Sequence, residues 1–193
     1  MLLLAGISTT GLANALNPYP ACDACHGTSG VGQAAHTPTI AGLNFQYFYT
    51  TMQDYRRGRR DSTIMERIAK GFGSSQLQHM ALYYGSQKWT GNPRNDFNSA
   101  QAKKGRDIYQ KTCIECHDYN GHYQDRKTPA LAGQAKGYLS YLMQDYREGS
   151  VSTRQPAIMQ EQLQTLSDDD LDALAEFFSS SLAEYNPEVV APE

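Results

Sequence analysis

The chain has 193 residues, of which 40% are hydrophobic, 10% aromatic and 19% charged, with a formal net charge of -3. A mean hydropathy of -0.58 excludes a multi-span membrane protein, and the apolar fraction excludes a disordered polyelectrolyte. A pI near 5.9 argues against a nucleic-acid binder, whose footprint is strongly basic.

Met1 to Ala15 has no charged side chain and ends in Ala13-Asn14-Ala15, the small-x-small pattern that a signal peptidase accepts. It reads as a truncated signal peptide over residues 1–15, since the basic n-region is missing. The alternatives are an uncleaved anchor, although about 15 residues fall short of the ~20 needed to span a bilayer as a helix, or a buried amino-terminal helix. Membrane association is expected only if the segment is retained. Leu16 to Ala21 follows, where Pro18 and Pro20 disfavour a helix.

The first of two identical motifs is Cys22-Asp23-Ala24-Cys25-His26. Tyr47, Thr51 and Tyr55 then recur at helical spacing before Gly58, and Leu77, Met80, Ala81 and Tyr84 share one helix face behind Ser74 and Ser75. The run Arg56-Arg57-Gly58-Arg59-Arg60 is either a solvated helix end, where cations oppose the helix dipole, or a docking patch. Thr90-Gly91-Asn92-Pro93 is a turn-prone linker. A helix over Ala102 to Gln110, in which Gly105 admits close approach of another helix, precedes the second motif, Cys113-Ile114-Glu115-Cys116-His117. Tyr138, Leu142 and Tyr146 repeat the aromatic stripe before Gly149, and Ser167 with Asp170 forms an S-x-x-D capping box ahead of Leu171, Leu174, Ala175 and Phe178. No segment alternates as a strand does, so the expected class is all-α.

An internal duplication organises these pieces. At the 91-residue offset from Cys22 to Cys113, Thr37-Pro38 falls on Thr128-Pro129, Ala41-Gly42 on Ala132-Gly133, and Met52-Gln53-Asp54-Tyr55-Arg56 on Met143-Gln144-Asp145-Tyr146-Arg147. Three residues are then inserted, and the 94-residue offset from Met65 to Met159 also pairs Leu77 with Leu171, Ala81 with Ala175 and Tyr84 with Phe178. Two tandem units result, residues 16–91 and 92–186, with a tail at 187–193. Each is near the lower size limit for an independent core, and a large buried cofactor would supply missing apolar mass. The first unit has seven basic and four acidic residues, whereas 92–193 has ten and sixteen, so the chain is a dipole.

All four cysteines lie in the two Cys-x-x-Cys-His motifs. In that pattern two thiols reach the vinyl groups of one porphyrin and the next residue is placed beneath the iron, so Cys22, Cys25, Cys113 and Cys116 are expected to hold two haem c groups covalently, with His26 and His117 as axial ligands. Zinc would need four ligands per unit, and a thioredoxin-like pair would need a strand-helix-strand context that the pattern lacks. Covalent attachment of this kind is completed beyond the bacterial inner membrane, which points to the periplasm. The second axial ligands are assigned to Met65 and Met159, expected in loops that wrap over the far face of each haem. Met52 and Met143 lie in the aromatic stripes and are assigned to haem packing. Met80 matches Leu174 and is core. Pro38 and Pro129 each follow a haem histidine by 12 residues and can aim a carbonyl at its ring nitrogen. His36, His79 and His122 have no histidine equivalent in the other unit and are assigned solvated or hydrogen-bonded roles.

At this point the chain resembles the dihaem cytochromes of the cytochrome c4 class. The resemblance rests on the duplicated motif, Pro129-Ala130-Leu131-Ala132-Gly133-Gln134, the helix ending Tyr146-Arg147-Glu148-Gly149, and the methionine ahead of Leu166-Ser167-Asp168. The segment from Ser62 to Phe72 is most similar to the cytochrome subunits of flavocytochrome c sulfide dehydrogenases. The resemblance implies two class I cytochrome c domains about a pseudo-twofold axis, with electrons passing between the haems, and a separate FAD flavoprotein that oxidises sulfide as electron donor. This chain has no glycine-rich dinucleotide fingerprint and no catalytic residue is assigned to it. The alternatives are a free periplasmic shuttle passing electrons to a downstream cytochrome or oxidase, and a dihaem peroxidase-like enzyme, which would need an open iron.

Overall fold

The computed structural model describes residues 19–94, 96–149 and 156–184; segments 1–15 and 187–193, assigned above as signal peptide and tail, lie outside them. Among the described residues every regular element is helical. The first half contains α1 (Pro20–His26), α2 (Phe45–Arg56), α3 (Met65–Lys70) and α4 (Ser74–Gly85). The second contains α5 (Ser99–Thr112), α6 (Asp118–Gly121), α7 (Lys136–Glu148), α8 (Pro156–Leu163) and α9 (Asp168–Ser180).

Local chemistry sets the helix ends. The Asn44 side chain accepts from the N–H groups of Gln46 and Tyr47 and starts α2. At α9 the predicted capping box is present, with the Asp170 N–H donating to Ser167 Oγ and the Ser167 N–H donating to the Asp170 carboxylate. The cap of α4 falls one residue before the two serines: Gly73 is the N-cap, and its N–H donates to Gln76 Oε1 at 2.9 Å. Helix α5 is longer at both ends than the 102–110 expected, because Asn98 caps it, accepting from Ala100 and Gln101. Pro20 opens α1, and among the described residues no helix precedes it.

Each half buries its own core. Leu43, Phe48, Met52, Leu77, Met80, Ala81 and Tyr84 form one cluster, in the half where α3 and α4 pack against α2. Leu139, Met143, Leu163, Leu171, Leu174, Ala175 and Phe178 form the other, with Tyr109 and Phe177 where α5 crosses α9. Burying each such large apolar side chain contributes about 1.5–3 kcal/mol. A Cβ at Gly105 would lie 1.9 Å from the carbonyl oxygen of Ala173, so the α5–α9 crossing depends on the bare glycine.

The duplication extends to the backbone. The Gly30 carbonyl accepts from Ile40 and Ala41 at 2.8 and 3.0 Å, and the Gly121 carbonyl accepts from Leu131 and Ala132 at the same two distances. The Gly42 N–H donates to the Tyr84 carbonyl and the Gly133 N–H to that of Phe178, each at 2.7 Å. Gly42 has φ 73°, and a Cβ there would sit 2.3 Å from the Trp89 nitrogen, which only glycine tolerates.

The halves are tied by polar bonds. Thr39 N–H donates to Gln134 Oε1 at 2.8 Å and Gln134 Nε2 donates to the Thr39 carbonyl at 2.9 Å, while within the first half Thr39 Oγ1 donates to the Gly91 carbonyl at 3.0 Å. Trp89 Nε1 donates to the Ala132 carbonyl at 2.9 Å. The 90–93 turn is therefore built into this contact instead of swinging free: Asn92 is 5% exposed, and its N–H donates to the Gly133 carbonyl at 2.6 Å. Among the described residues no helix is long and apolar enough to cross a membrane.

Candidate haem-binding site

In the first half, α1 spans the whole Cys-x-x-Cys-His motif, so one helical turn carries both thiols and the imidazole. Cys22 is half-buried, Cys25 is exposed and His26 is buried. A largely apolar cavity, about 90 Å³ in volume, opens beside them. Cys22, His26, Pro38, Met52, Met65 and Tyr84 line it from this half, and Pro129, Leu131, Gln134 and Tyr138 from the other. His26 Nδ1 lies 2.8 Å from the carbonyl oxygen of Pro38, to which the ring N–H donates. Burial pushes the His26 pKa down, with the Pro38 carbonyl opposing it in part, so the imidazole is in the neutral form that can bind iron. Asp23 fixes the turn after the motif, accepting from the Ser29 N–H at 2.8 Å and from the Tyr84 hydroxyl at 3.1 Å.

In the second half the motif follows the end of α5. Cys113 is half-buried, Cys116 is exposed and His117 is buried. Burial alone pushes the His117 pKa down to about 4. Its Nδ1 has no hydrogen-bond partner among the described residues, so the expected bond to the Pro129 carbonyl is not made. Cys113 and Met159 both pack against the second core, and Met143 is buried within it. Burial also raises the pKa values of the Cys22 and Cys113 thiols.

Both methionines expected in loops lie in short helices. Met65 is the first residue of α3 and Met159 lies within α8. Ile64 is the N-cap of α3, where Ser62 Oγ accepts from the Glu66 N–H at 2.8 Å, and Pro156 is the first described residue of α8. The arginine run is neither a solvated end nor a uniform patch. Arg60 is 3% exposed, Arg59 pairs with the buried Asp54, and Arg56 donates to Ser74 Oγ at 2.8 Å. None of the other histidines lines the cavity. His36 packs against the Tyr141 ring at 5.1 Å, His79 is exposed on α4, and His122 Nε2 lies 3.1 Å from the Ser181 carbonyl oxygen.

Sequence reasoning passed over Thr39 and Gln134. The signal was a mismatch in the repeat, since Gln134 falls on Leu43 and Thr39 on Ala130 at the 91-residue offset. A polar residue facing an apolar or small equivalent marks where the halves stop being interchangeable. The donor set and the apolar cavity fit haem c: paired thiols in the motif, with a buried neutral imidazole and a thioether lining the same cavity.

Residues 102–181 match the cytochrome c family. Cytochrome c-554(548) of Halomonas halodenitrificans is 34% identical over 70 residues, covering 35% of this chain and 84% of that protein. The chain belongs to the cytochrome c family. The crystal structure of reduced recombinant cytochrome c4 from Pseudomonas stutzeri superposes on this cytochrome with a TM-score of 0.76 at 27% identity, covering 91% of this chain and 99% of that one. A thiosulfate dehydrogenase electron acceptor of Thiomonas intermedia is 29% identical over 168 residues, which are 82% of this chain and 77% of the relative. The cytochrome subunit of sulfide dehydrogenase from Chlorobaculum tepidum is 37% identical over 65 residues, 34% of this chain and 58% of the relative. This cytochrome is thus a cytochrome c4-like electron carrier with two tandem class I folds and covalently bound haem c.

Proposed function

We propose that the cytochrome carries two haem c groups, one in each unit of residues 16–91 and 92–186. Cys22 and Cys25 hold the first, with His26 and Met65 on its iron, and Cys113 and Cys116 hold the second, with His117 and Met159. The observation that carries this reading is the convergence of Cys22, His26, Met52 and Met65 on one cavity, with Cys113, Met143 and Met159 beside the second core. When bound, haem c supplies one-electron redox chemistry. The chain's own residues keep both imidazoles neutral and present one exposed cysteine per motif, Cys25 and Cys116, at the protein surface. A partner can therefore exchange electrons close to the cofactor edge. A methionine on each iron leaves no position for peroxide, which disfavours a peroxidase-like role.

The electron donor in this reading is a periplasmic dehydrogenase of reduced sulfur compounds. The segment Ser62 to Phe72 and the sulfide dehydrogenase relative support a flavoprotein acting on sulfide. The longer match to a thiosulfate dehydrogenase electron acceptor supports thiosulfate as the second reading.

Purification of the haem-loaded chain from its own source under mild conditions separates these. Retained flavin absorbance, a second polypeptide and sulfide-dependent haem reduction are expected for the flavoprotein complex. A flavin-free chain reduced in the presence of thiosulfate and its oxidising fraction moves the donor to the second reading. A flavin-free cytochrome reduced by neither identifies a free shuttle.

A further inference from the structure

Met65 lines the cavity from the start of α3, and several of its neighbours on that helix are exposed. Ile64 is 54% exposed and Ile68 37%. The Ile64 carbonyl accepts from the N–H groups of Arg67 and Ile68 at 3.0 and 3.1 Å, so the two isoleucines and Arg67 share one face of the turn. Arg67 and Lys70 are exposed. The turn after α2 lies against the same helix, since a Cβ at Gly58 would stand 3.8 Å from Glu66 Oε1, and it carries Arg57, the exposed member of the arginine run. The carboxylate within α3, Glu66, is engaged by Lys70, and Arg67 donates to the Thr63 carbonyl at 2.7 Å. Single exposed isoleucines are ordinary on a protein surface. Two of them beside the residue assigned to the iron, rimmed by three cations, have the make-up of a docking face, apolar at the centre and charged at the edge.

The duplication offers an internal comparison. At the 91- and 94-residue offsets Arg57 falls on Glu148, Arg67 on Glu161, Ile68 on Gln162 and Lys70 on Gln164, while Ile64 falls on Ile158, which is 56% exposed. Glu148 and Glu161 are exposed as well. Residues 56–73 hold six basic and two acidic side chains, against two and two in 147–167. The helix and its methionine are common to both copies, so the reversal of two charges and the loss of one isoleucine are not demanded by cofactor binding. We propose that the α3 face of the first half docks a redox protein whose contact surface is apolar with a rim of carboxylates, and that the equivalent face of the second half turns that partner away. Attraction at one copy and like-charge repulsion at the other then direct that partner's electron exchange to the first haem.

The inference rests on the haem assignment above, and the two fail separately: a chain without a covalent haem spectrum fails the assignment, whereas a fully loaded chain that docks no acidic partner at α3 fails only the inference. The probe is flavodoxin, an acidic flavoprotein that gives up single electrons, mixed with the holoprotein. With oxidised flavodoxin and isotope-labelled isoleucine methyls, binding is expected to shift the Ile64 and Ile68 resonances and leave Ile158 unmoved. With the hydroquinone, each flavin gives one electron and becomes the semiquinone as one ferric haem becomes ferrous, and stopped-flow absorbance follows the second-order rate over a range of salt. Arg67→Glu is expected to slow this step on the order of tenfold at low salt and to flatten its salt dependence. Lys88→Glu, which makes the same change in net charge at an exposed site beyond α4, stays near the parent rate. Ile68→Gln weakens binding and keeps the parent's salt dependence. Glu148→Arg combined with Glu161→Arg is expected to speed the reaction and to bring the Ile158 methyl among the shifted resonances. Methyl shifts absent at Ile64 and Ile68 or equal at Ile158, or rates slowed alike by Arg67→Glu and Lys88→Glu, would overturn the proposal.

Discussion

His26 and His117 hold the same place in the repeat but differ in environment. The His26 ring N–H donates to the Pro38 carbonyl, whereas His117 Nδ1 is buried without a partner among the described residues. The backbone frames are the same, down to the paired bonds at Gly30 and Gly121. The difference arises one residue on from each proline. Thr39 is clamped by Gln134 through N–H and carbonyl and by Gly91 through its hydroxyl, so the Pro38 carbonyl is held in place. Its equivalent Ala130 has no hydroxyl, and Leu43, the equivalent of Gln134, cannot clamp it. A duplication copies main-chain geometry readily, while this contact between the copies joins the main chain of Thr39 on one side to the side chain of Gln134 on the other and so orients only one loop.

The largest effect should come from the methionines. Met65→Ala should abolish methionine ligation at one haem and lower its potential by on the order of tenths of a volt, since axial ligands set potentials over about 0.8 V. Met159→Ala should do the same at the other haem alone. Near-infrared and magnetic circular dichroism spectra of the ferric proteins check this, and an unchanged methionine signature in both variants would sink the assignment.

Gly105→Ala should act on the second half only. Its Cβ would strike the Ala173 carbonyl, and separating α5 from α9 should cost about 1–3 kcal/mol, the usual range for overpacking. Chemical denaturation followed at the two haems would show the loss there first. Gln134→Ala removes bonds that span the halves and leaves the buried Thr39 N–H and carbonyl unsatisfied, with an expected cost of about 1–3 kcal/mol. It should also perturb the His26 ring resonances more than those of His117, although residue 134 belongs to the half that carries His117. Equal perturbation of both rings would contradict the clamp.

The smallest effect concerns the α9 cap. Lys104 and Ser167 hold the Asp170 carboxyl down to about 2, so its contribution is fully present above the ordinary value of 3.8 and is lost as the pH falls from there toward 2. Ser167→Ala should cost about 1 kcal/mol at neutral pH. Thermal unfolding at pH 7 and pH 2.5 should show the gap between variant and parent narrowing in acid. The α4 cap at Gly73 and Gln76 contains no carboxylate, so Gln76→Ala should show no such narrowing.

Much of this protein was legible along the chain. Thiols two residues apart with an adjacent histidine need one helical turn to act together, helix faces repeat by period, and a duplication held in two registers brings paired cores with it. These are local or periodic properties, carried by residues close in sequence. Tertiary structure alone decided what Arg60, Thr39 and Gln134 do. Arg60 looked like one more surface charge in a basic run until α2 and α7 enclosed it among tyrosines. Thr39 and Gln134 meet across 95 residues, and Met65 and Met159 lie in short helices instead of loops. Burial and long-range partners depend on how distant segments come to pack, and local patterns do not encode that.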